Sequence, residues 1–370
     1  MKSEARLIHV STLSAVALAL LLVSRRAPAA DDQPTVLKDF VQPFAYTVNV
    51  FHGDWHTWSW VPRLELRVNG PIESGGQLYT QFDVPGGAPV KFDCPTNATP
   101  KGTWIKTECG GASIPVEKGS LYTGPVGFSI HMRNELTSSD VTLFTGKMKV
   151  EKAHSNEHGP KVAKQFVYFA DDDWNLPIGY IFLTAPNDAY GWNLTQLNVA
   201  FWVRGEAQSF DPHVFFQGKE IGKMFSGSDE VGKPWCDAEV GKNKTRSVDE
   251  LEIPQKAKWT RMVCMFPNIL GWDKTGRGPG MFGPAFEMSA NPGDYEFKLL
   301  WSNHLARSIK FTVGPGTKFD NGIARANHLG DERVIVPVQV LGTGDGTWNR
   351  TAWQTGAFYG NPLTGFTAAP

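Results

Sequence analysis

The stretch from Phe51 to Trp60, FHGDWHTWSW, contains residue types that could do chemistry. On an extended strand His52, Asp54 and His56 would point to one side, because successive side chains alternate between two faces. Two imidazoles and a carboxylate are a ligand set that zinc or copper accepts, with a further position left open in catalytic zinc sites. A solvated loop is the competing interpretation. We predict no cofactor, with zinc, copper and calcium as the alternatives.

Tryptophans in the same stretch could bind a sugar. Trp55, Trp58 and Trp60 offer ring faces for the apolar C–H surface of a pyranose, and Asp54 could accept hydrogen bonds from its hydroxyls. Tryptophan is also a large core residue that dominates packing. Because the chain has 13 tryptophans, most of which a sandwich must bury, we expect at least one of these three to be internal.

A second group of carboxylates, Asp171 to Asp173, precedes Trp174. Carboxylate oxygens suit calcium, but the spaced ligands and the glycine of an EF-hand loop are missing. We therefore predict an exposed acidic turn. The sequence contains no G-x-S-x-G, H-E-x-x-H or P-loop motif. Catalytic residues stay unassigned, and a protein without catalysis is favoured.

The four cysteines form two local pairs that predict disulfides, Cys94 with Cys109 and Cys236 with Cys264. Neither pair has the C-x-x-C spacing or the neighbouring histidine of a metal or redox site. Each second cysteine follows a tryptophan at the same distance, in WIKTEC and WTRMVC. We interpret the bridges as one structural device used twice, each contributing roughly 2–4 kcal/mol by closing a short loop.

Segments around the two cysteine pairs recur in the same order. LELRVNG before the first pair corresponds to VAFWVRG before the second, and GFSIHMRN after the first corresponds to GDYEFKLL after the second. GKMKVEK and ARSIKFTVG follow, and GDW upstream corresponds to DDW. Alternating apolar residues that end in glycine are typical of half-buried strands that run into turns. A period of about 150 residues predicts a tandem of domains and not a stacked array.

These patterns predict an all-β fold of two tandem antiparallel β-sandwich domains. The turn Pro292–Tyr295, followed by alternating residues, resembles the entry to a late strand of an immunoglobulin-like sandwich. The cysteine spacing is, however, too short for the usual inter-sheet bridge. We place the first domain at 40–153 and the second, related domain at 164–314. Residues 315–370 form a C-terminal extension, one strand and an aromatic tail, which should dock on a sandwich.

The first 29 residues have the pattern of a signal peptide. Lys2 and Arg6 precede the apolar run LSAVALALLLV, and Ala27–Ala29 offers a small-x-small cleavage site. The run is shorter than the roughly 20 apolar residues of a membrane span, although Arg25 and Arg26 keep an uncleaved anchor as the alternative. We expect no membrane span after cleavage and a secreted, periplasmic or cell-surface location, where disulfides persist.

The pattern of features favours an exported binding or structural protein without catalysis, with a protein or polysaccharide of the cell exterior as partner. A net charge of -1 argues against a nucleic-acid partner. One alternative is an extracellular enzyme that acts on polysaccharide through the His52–Trp60 stretch. Another is a subunit of an envelope or filament assembly, whose C-terminal tail would also make homo-oligomers.

Overall fold

The structure is a computed structural model of the chain. It describes residues 33–51, 56–154, 166–184, 196–205, 209–222, 235–238, 257, 259–266, 286, 288–319, 322–327, 329 and 334–370. The predicted signal peptide lies outside the described residues. Residues Pro34–Pro370 form one compact unit. No helix in the described ranges is long and apolar enough to cross a membrane.

The described part of the chain is all-β, as the sequence predicts, with short helical turns between strands. The strands are β1 (Thr35–Val36), β2 (Gln42–Phe51), β3 (His56–Asn69), β4 (Gly76–Asp83), β5 (Val90–Asp93), β6 (Trp104–Gly110), β7 (Gly124–Asn134), β8 (Ser139–His154), β9 (Phe166–Ala170), β10 (Ile178–Thr184), β11 (Gln196–Arg204), β12 (Asp211–Phe216), β13 (Lys219–Gly222), β14 (Trp235–Ala238), β15 (Trp259–Phe266), β16 (Gly293–Trp301), β17 (His304–Gly314), β18 (Lys318–Phe319) and β19 (Val334–Val340). Two short α-helices are α1 (Gly322–Ala326) and α2 (Trp353–Gly356).

These strands form antiparallel sheets. In the four-stranded sheet β1, β2 and β6 all pair with β3, and the five-stranded sheet has the order β5-β4-β7-β8-β9. The ten-stranded sheet has the order β13-β12-β16-β17-β19-β10-β11-β15-β14, with β18 beside β17. Strand β7 shows why these segments pair, because Val126, Phe128, Ile130 and Met132 alternate into the core while their neighbours are less buried.

The segments that match in sequence lie on strands with the same pairing. LELRVNG ends β3 and VAFWVRG ends β11, and their partners β6 and β15 contain the second cysteine of each pair. The opposed residues are Leu64 with Cys109 and Asn69 with Trp104 in one pair, and Val199 with Cys264 and Arg204 with Trp259 in the other. Both strand pairs therefore have the same register from the cysteine to the tryptophan.

The later matching segments also lie on strands with the same pairing. GFSIHMRN lies in β7, which pairs with β8, and GDYEFKLL lies in β16, which pairs with β17. Strand β10 pairs with β11 in the same way as β2 pairs with β3. DDW lies just before β10 in the chain. GDW follows β2 in the chain and lies outside the described residues, so its correspondence with DDW stays a prediction.

Two strands complete sheets across the predicted domain boundaries: β9, from the predicted second domain, joins the five-stranded sheet of the first, and β19, from the predicted C-terminal extension, joins the ten-stranded sheet. Strand β9 pairs with β8, and its Tyr168 N–H donates to Thr47 Oγ1 of β2 at 2.8 Å. Strand β19, from the predicted C-terminal extension, lies between β10 and β17. Because β19 has a strand on each side, it is an internal strand of the ten-stranded sheet. The domain boundaries themselves stay a prediction.

Both predicted disulfides are present, but they differ in topology. Cys94 follows β5 of the five-stranded sheet and Cys109 lies in β6 of the four-stranded sheet, so the first bridge joins two sheets despite its short spacing. Cys236 and Cys264 lie directly opposite each other on the neighbouring strands β14 and β15. The two bridges are therefore not one structural device used twice, because the first joins two sheets and the second joins two neighbouring strands of one sheet.

The buried core has two main parts. One apolar cluster contains residues from the four-stranded and five-stranded sheets and from the C-terminal segment. The other consists mainly of residues of the ten-stranded sheet, together with Ala153 of β8 and Phe169 of β9. Trp60 and Phe82 are fully buried in the first cluster, and Trp259 and Phe297 are buried in the second. The C-terminal segment is thus part of the core and not an appendage.

Candidate functional site

The predicted metal ligands lie at the edge of what the structure describes. His52, Asp54 and Trp55 are outside the described residues, and only the backbone of His56 is described, at the start of β3. The metal site on His52, Asp54 and His56 therefore stays a prediction. Among the described residues, no group of three or more His, Cys, Asp or Glu side chains could hold a metal ion.

The two other predicted sugar-binding tryptophans lie on β3. Trp58 is half-buried and packs against the first core cluster. Trp60 has no exposed surface, and its indole N–H donates to the carbonyl oxygen of Tyr122 at 2.8 Å. Because a ring without exposed surface has no face for a sugar, Trp60 is a core residue in this structure. This is the outcome expected for at least one of the three tryptophans.

A cleft of about 610 Å³ opens beside β3. It lies between the β4–β5 turn and the segment that precedes β7. Its lining residues are Trp60, Pro62, 84–90 and 117–121. The sequence signal that could have located it is VPGGAPV, a Pro- and Gly-rich turn between two strand-like runs. That signal indicates a turn and cannot show that a second segment lies opposite.

Two glycines allow the walls of the cleft to form. Ser120 and Trp60 exchange backbone hydrogen bonds of 2.8 and 2.9 Å, which hold the second wall against β3. A Cβ atom on Gly119 would lie 2.2 Å from Ser59 Oγ, so only glycine permits this approach. Gly86 has a φ of 81°, which places the tip of the β4–β5 turn in the left-handed region.

The lining of the cleft combines apolar and charged residues. Pro85, Ala88 and Leu121 contribute apolar surface, and the Leu121 side chain is unusually exposed for its type at 59%. Glu117 and Lys118 add one charge of each sign. An apolar surface with a few polar groups at its margin is the usual composition of a ligand site.

The prediction of an exposed acidic turn at Asp171–Trp174 is wrong. Asp172 and Asp173 are buried, as is the tryptophan that follows them. The Asp173 carboxylate accepts the backbone N–H of Asn349 at 2.8 Å and lies 3.5 Å from the Arg204 guanidinium. The C-terminal segment, which includes Asn349, covers these carboxylates. A local sequence pattern cannot predict a contact with so distant a segment.

Asp173 should make the protein less stable as the pH rises. Burial raises the pKa of Asp173 to about 6, while the Asn349 N–H and the Arg204 charge oppose that rise. In the unfolded chain the pKa returns to about 3.9, so the folded protein binds the extra proton between these two values. The resulting stabilisation is complete below pH ~4 and is lost as the pH rises through 6.

Replacing Asp173 by asparagine tests this dependence, because the amide keeps an acceptor oxygen and cannot ionise. Between pH 4 and pH 7 the free energy of unfolding of Asp173→Asn should increase relative to that of the natural protein by about 2 kcal/mol. Urea unfolding at both pH values measures this difference. The exposed Asp83→Asn should show no such change, and an Asp173→Asn difference that is equal at both pH values would contradict the prediction.

No known family model matches the chain, and no curated protein matches it significantly.

Proposed function

We propose that this protein is an exported binding protein of the cell exterior, and that the cleft beside β3 binds a segment of a partner protein. The cleft carries the proposal, because its volume of about 610 Å³ lies in the range of roughly 300–1,000 Å³ that ligand sites occupy. The two disulfides indicate an oxidising environment. The predicted signal peptide supports export.

The proposal includes a duplicated immunoglobulin-like β-sandwich as the scaffold. The strand pairs β3–β6 and β11–β15 have the same register, with Cys109 opposite Leu64 and Cys264 opposite the equivalent residue Val199. Two unrelated strand pairs would rarely agree in this way, so the common register supports duplication. The strand orders β5-β4-β7-β8 and β13-β12-β16-β17 also support duplication. In both, an earlier hairpin lies beside a later hairpin in the same arrangement. Such scaffolds hold loops rigidly at their margins, which suits recognition of another chain.

A protein segment suits the cleft better than a polysaccharide. Sugar binding by stacking needs an exposed aromatic face, and Trp60, the aromatic residue of the lining, has no exposed surface. The exposed Leu121 can contact an apolar side chain of a partner, as apolar anchors do at protein interfaces. Glu117 and Lys118 can orient a partner segment through its polar groups.

Peptides selected from a random display library on the full chain test the proposed function. Replacing Leu121 by aspartate should weaken the binding of the selected peptides at least about tenfold, because a charge replaces an apolar contact. Ala88→Trp should weaken it similarly by filling the cleft. Calorimetric titration of each purified variant measures the dissociation constants.

Leu136→Asp is the matched control for this experiment. Leu136 is 74% exposed, lies in the turn between β7 and β8, and does not line the cleft. Its replacement should leave peptide affinity unchanged. Equal effects of the two leucine variants would argue against the cleft as the site. If the protein binds a glycan array, and Leu121→Asp reduces that binding while Leu136→Asp does not, the partner is a polysaccharide and not a protein.

A further inference from the structure

The outer face of the five-stranded sheet brings together a serine, a histidine and an aspartate. Ser129 and His131 are two residues apart on β7, so both lie on the face opposite the buried Ile130. Ser129 Oγ is 2.7 Å from His131 Nε2. Asp140 Oδ1, on β8, is 3.6 Å from His131 Nδ1. A serine hydroxyl is activated when a neighbouring base can accept its proton and a third group holds that base in position.

The imidazole ring of His131 is held from several sides. Tyr79 on β4 stacks on it, with ring centroids 4.7 Å apart and an interplanar angle of 8°. The phenol of Tyr79 also donates to Asp140 Oδ2 at 2.7 Å, so it fixes the carboxylate as well. Thr142 Oγ1 lies 3.2 Å from His131 Nδ1. The ring therefore has its Nδ1 edge occupied and its Nε2 edge turned to Ser129.

Local structure supports this arrangement at two points. The β7–β8 ladder shifts register between Ile130 and His131, and such bulges commonly re-aim side chains next to functional sites. Burial and the neighbouring Asp140 carboxylate raise the pKa of Tyr79 to about 12, so its phenol keeps the proton that it donates. The His131 side chain stays 17% exposed, which leaves it accessible from solvent.

We propose that Ser129, His131 and Asp140 form a hydrolytic site for carboxylic esters, an activity separate from the cleft. Ser129 Oγ bonds to the ester carbonyl carbon while its proton passes to His131 Nε2. The bond from that carbon to the alcohol oxygen then breaks, and His131 gives the proton to the departing alkoxide. Water attacks the acyl-serine next. Its proton passes through His131 to Ser129 Oγ, and the carboxylic acid leaves.

The surroundings of Ser129 indicate the class of ester. Gln81 on β4 and Thr145 on β8 lie opposite Ser129 in the two ladders, and both are polar. The Thr145 hydroxyl and the second N–H of the Gln81 amide, whose Nε2 also donates to Asp83 Oδ1 at 2.7 Å, are polar groups at neighbouring positions that could stabilise the developing negative oxygen. Polar neighbours on an open sheet face suit a short acyl group, such as acetyl, on a polar carrier better than a long acyl chain.

A fluorophosphonate probe, which reacts with activated serines, tests the site on the full chain. Peptide mass spectrometry should find the label on Ser129, and Ser129→Ala should abolish it together with hydrolysis of p-nitrophenyl acetate above background. His131→Gln should lower the labelling rate constant about 100-fold or more, the usual contribution of a general base. Ser139→Ala is the matched control, a serine of β8 whose hydroxyl bonds to Thr137, and should change nothing.

Two results would overturn the proposal. One is labelling of Ser129 no faster than that of Ser139, and the other is an unchanged labelling rate in His131→Gln. If His131→Gln does not fold, Asp140→Asn replaces it. That variant should label about tenfold more slowly with unchanged reversible binding of the probe, because Asp140 positions His131. Leu121→Asp should label normally, so failure of the peptide experiment and failure of this one are distinguishable.

Discussion

Replacing Asp345 by alanine should lower the free energy of unfolding by about 3–5 kcal/mol. Both carboxylate oxygens accept hydrogen bonds from the Arg307 guanidinium at 2.7 Å, and Oδ1 also accepts the Arg204 backbone N–H at 2.9 Å. The side chains of Arg307 and Asp345 are only 2% and 3% exposed. The large loss follows because alanine leaves the Arg307 charge buried without its ion partner.

Urea unfolding followed by tryptophan fluorescence measures that loss, with the pair of Arg133 and Asp93 as control. Those two side chains are 3.1 Å apart but 41% and 56% exposed, so Asp93→Ala should cost less than about 1 kcal/mol. A double replacement, Arg307→Met with Asp345→Leu, should recover part of the lost stability, because it leaves no unpaired charge at this position while the Arg204 backbone N–H still loses its acceptor. Similar losses in Asp345→Ala and Asp93→Ala would contradict the explanation by burial.

Deleting residues 343–370 should abolish the cooperative unfolding transition. The segment contributes four buried large side chains, which are Phe358, Tyr359, Leu363 and Phe366. Each such side chain contributes about 1.5–3 kcal/mol when it leaves water. Their sum is comparable with the ~5–15 kcal/mol stability of a typical protein. The same deletion also removes Asp345, so Arg307 again stays buried without its ion partner.

Aromatic contacts join residues 343–370 to the rest of the protein. The Trp174 ring meets the rings of Phe358 and Tyr359 nearly edge-on, with centroids 5.4 and 5.3 Å apart. Tyr359 also meets Phe128 of β7 at 5.9 Å. Deletion would expose Trp174 and Phe128 to water, because these contacts cover them in the intact chain.

Thermal denaturation followed by circular dichroism, with calorimetry, measures the effect of the deletion. Removal of residues 369–370 alone is the control, because the hydrogen bond from Gln339 to the Pro370 carbonyl is the contact at stake there. That loss should cost less than about 1.5 kcal/mol. A 343–370 deletion that unfolds as the full chain does would instead favour the alternative in which the tail engages a partner chain.

The candidate sites could be predicted from the sequence only in part. The cysteine pairs were predictable because each pair is close in sequence and the second cysteine of each follows a tryptophan at the same distance. The outer-face site was missed because Asp140 reaches His131 only after the chain turns back and its ladder shifts register. The cleft was missed because its second wall, at Glu117 to Leu121, looks like an ordinary turn. Neither arrangement has a spacing motif that a search of the sequence would find.

The sequence by itself determined the all-β class and the two disulfides. Side-chain alternation within a strand, and a short loop between two cysteines, are local properties that neighbouring residues already specify. Only the tertiary structure decided that Trp60 is internal and that Asp173 is covered. Asp173 accepts its hydrogen bond from Asn349, 176 positions along the chain. Burial of this kind depends on where a distant segment packs, which no local pattern encodes.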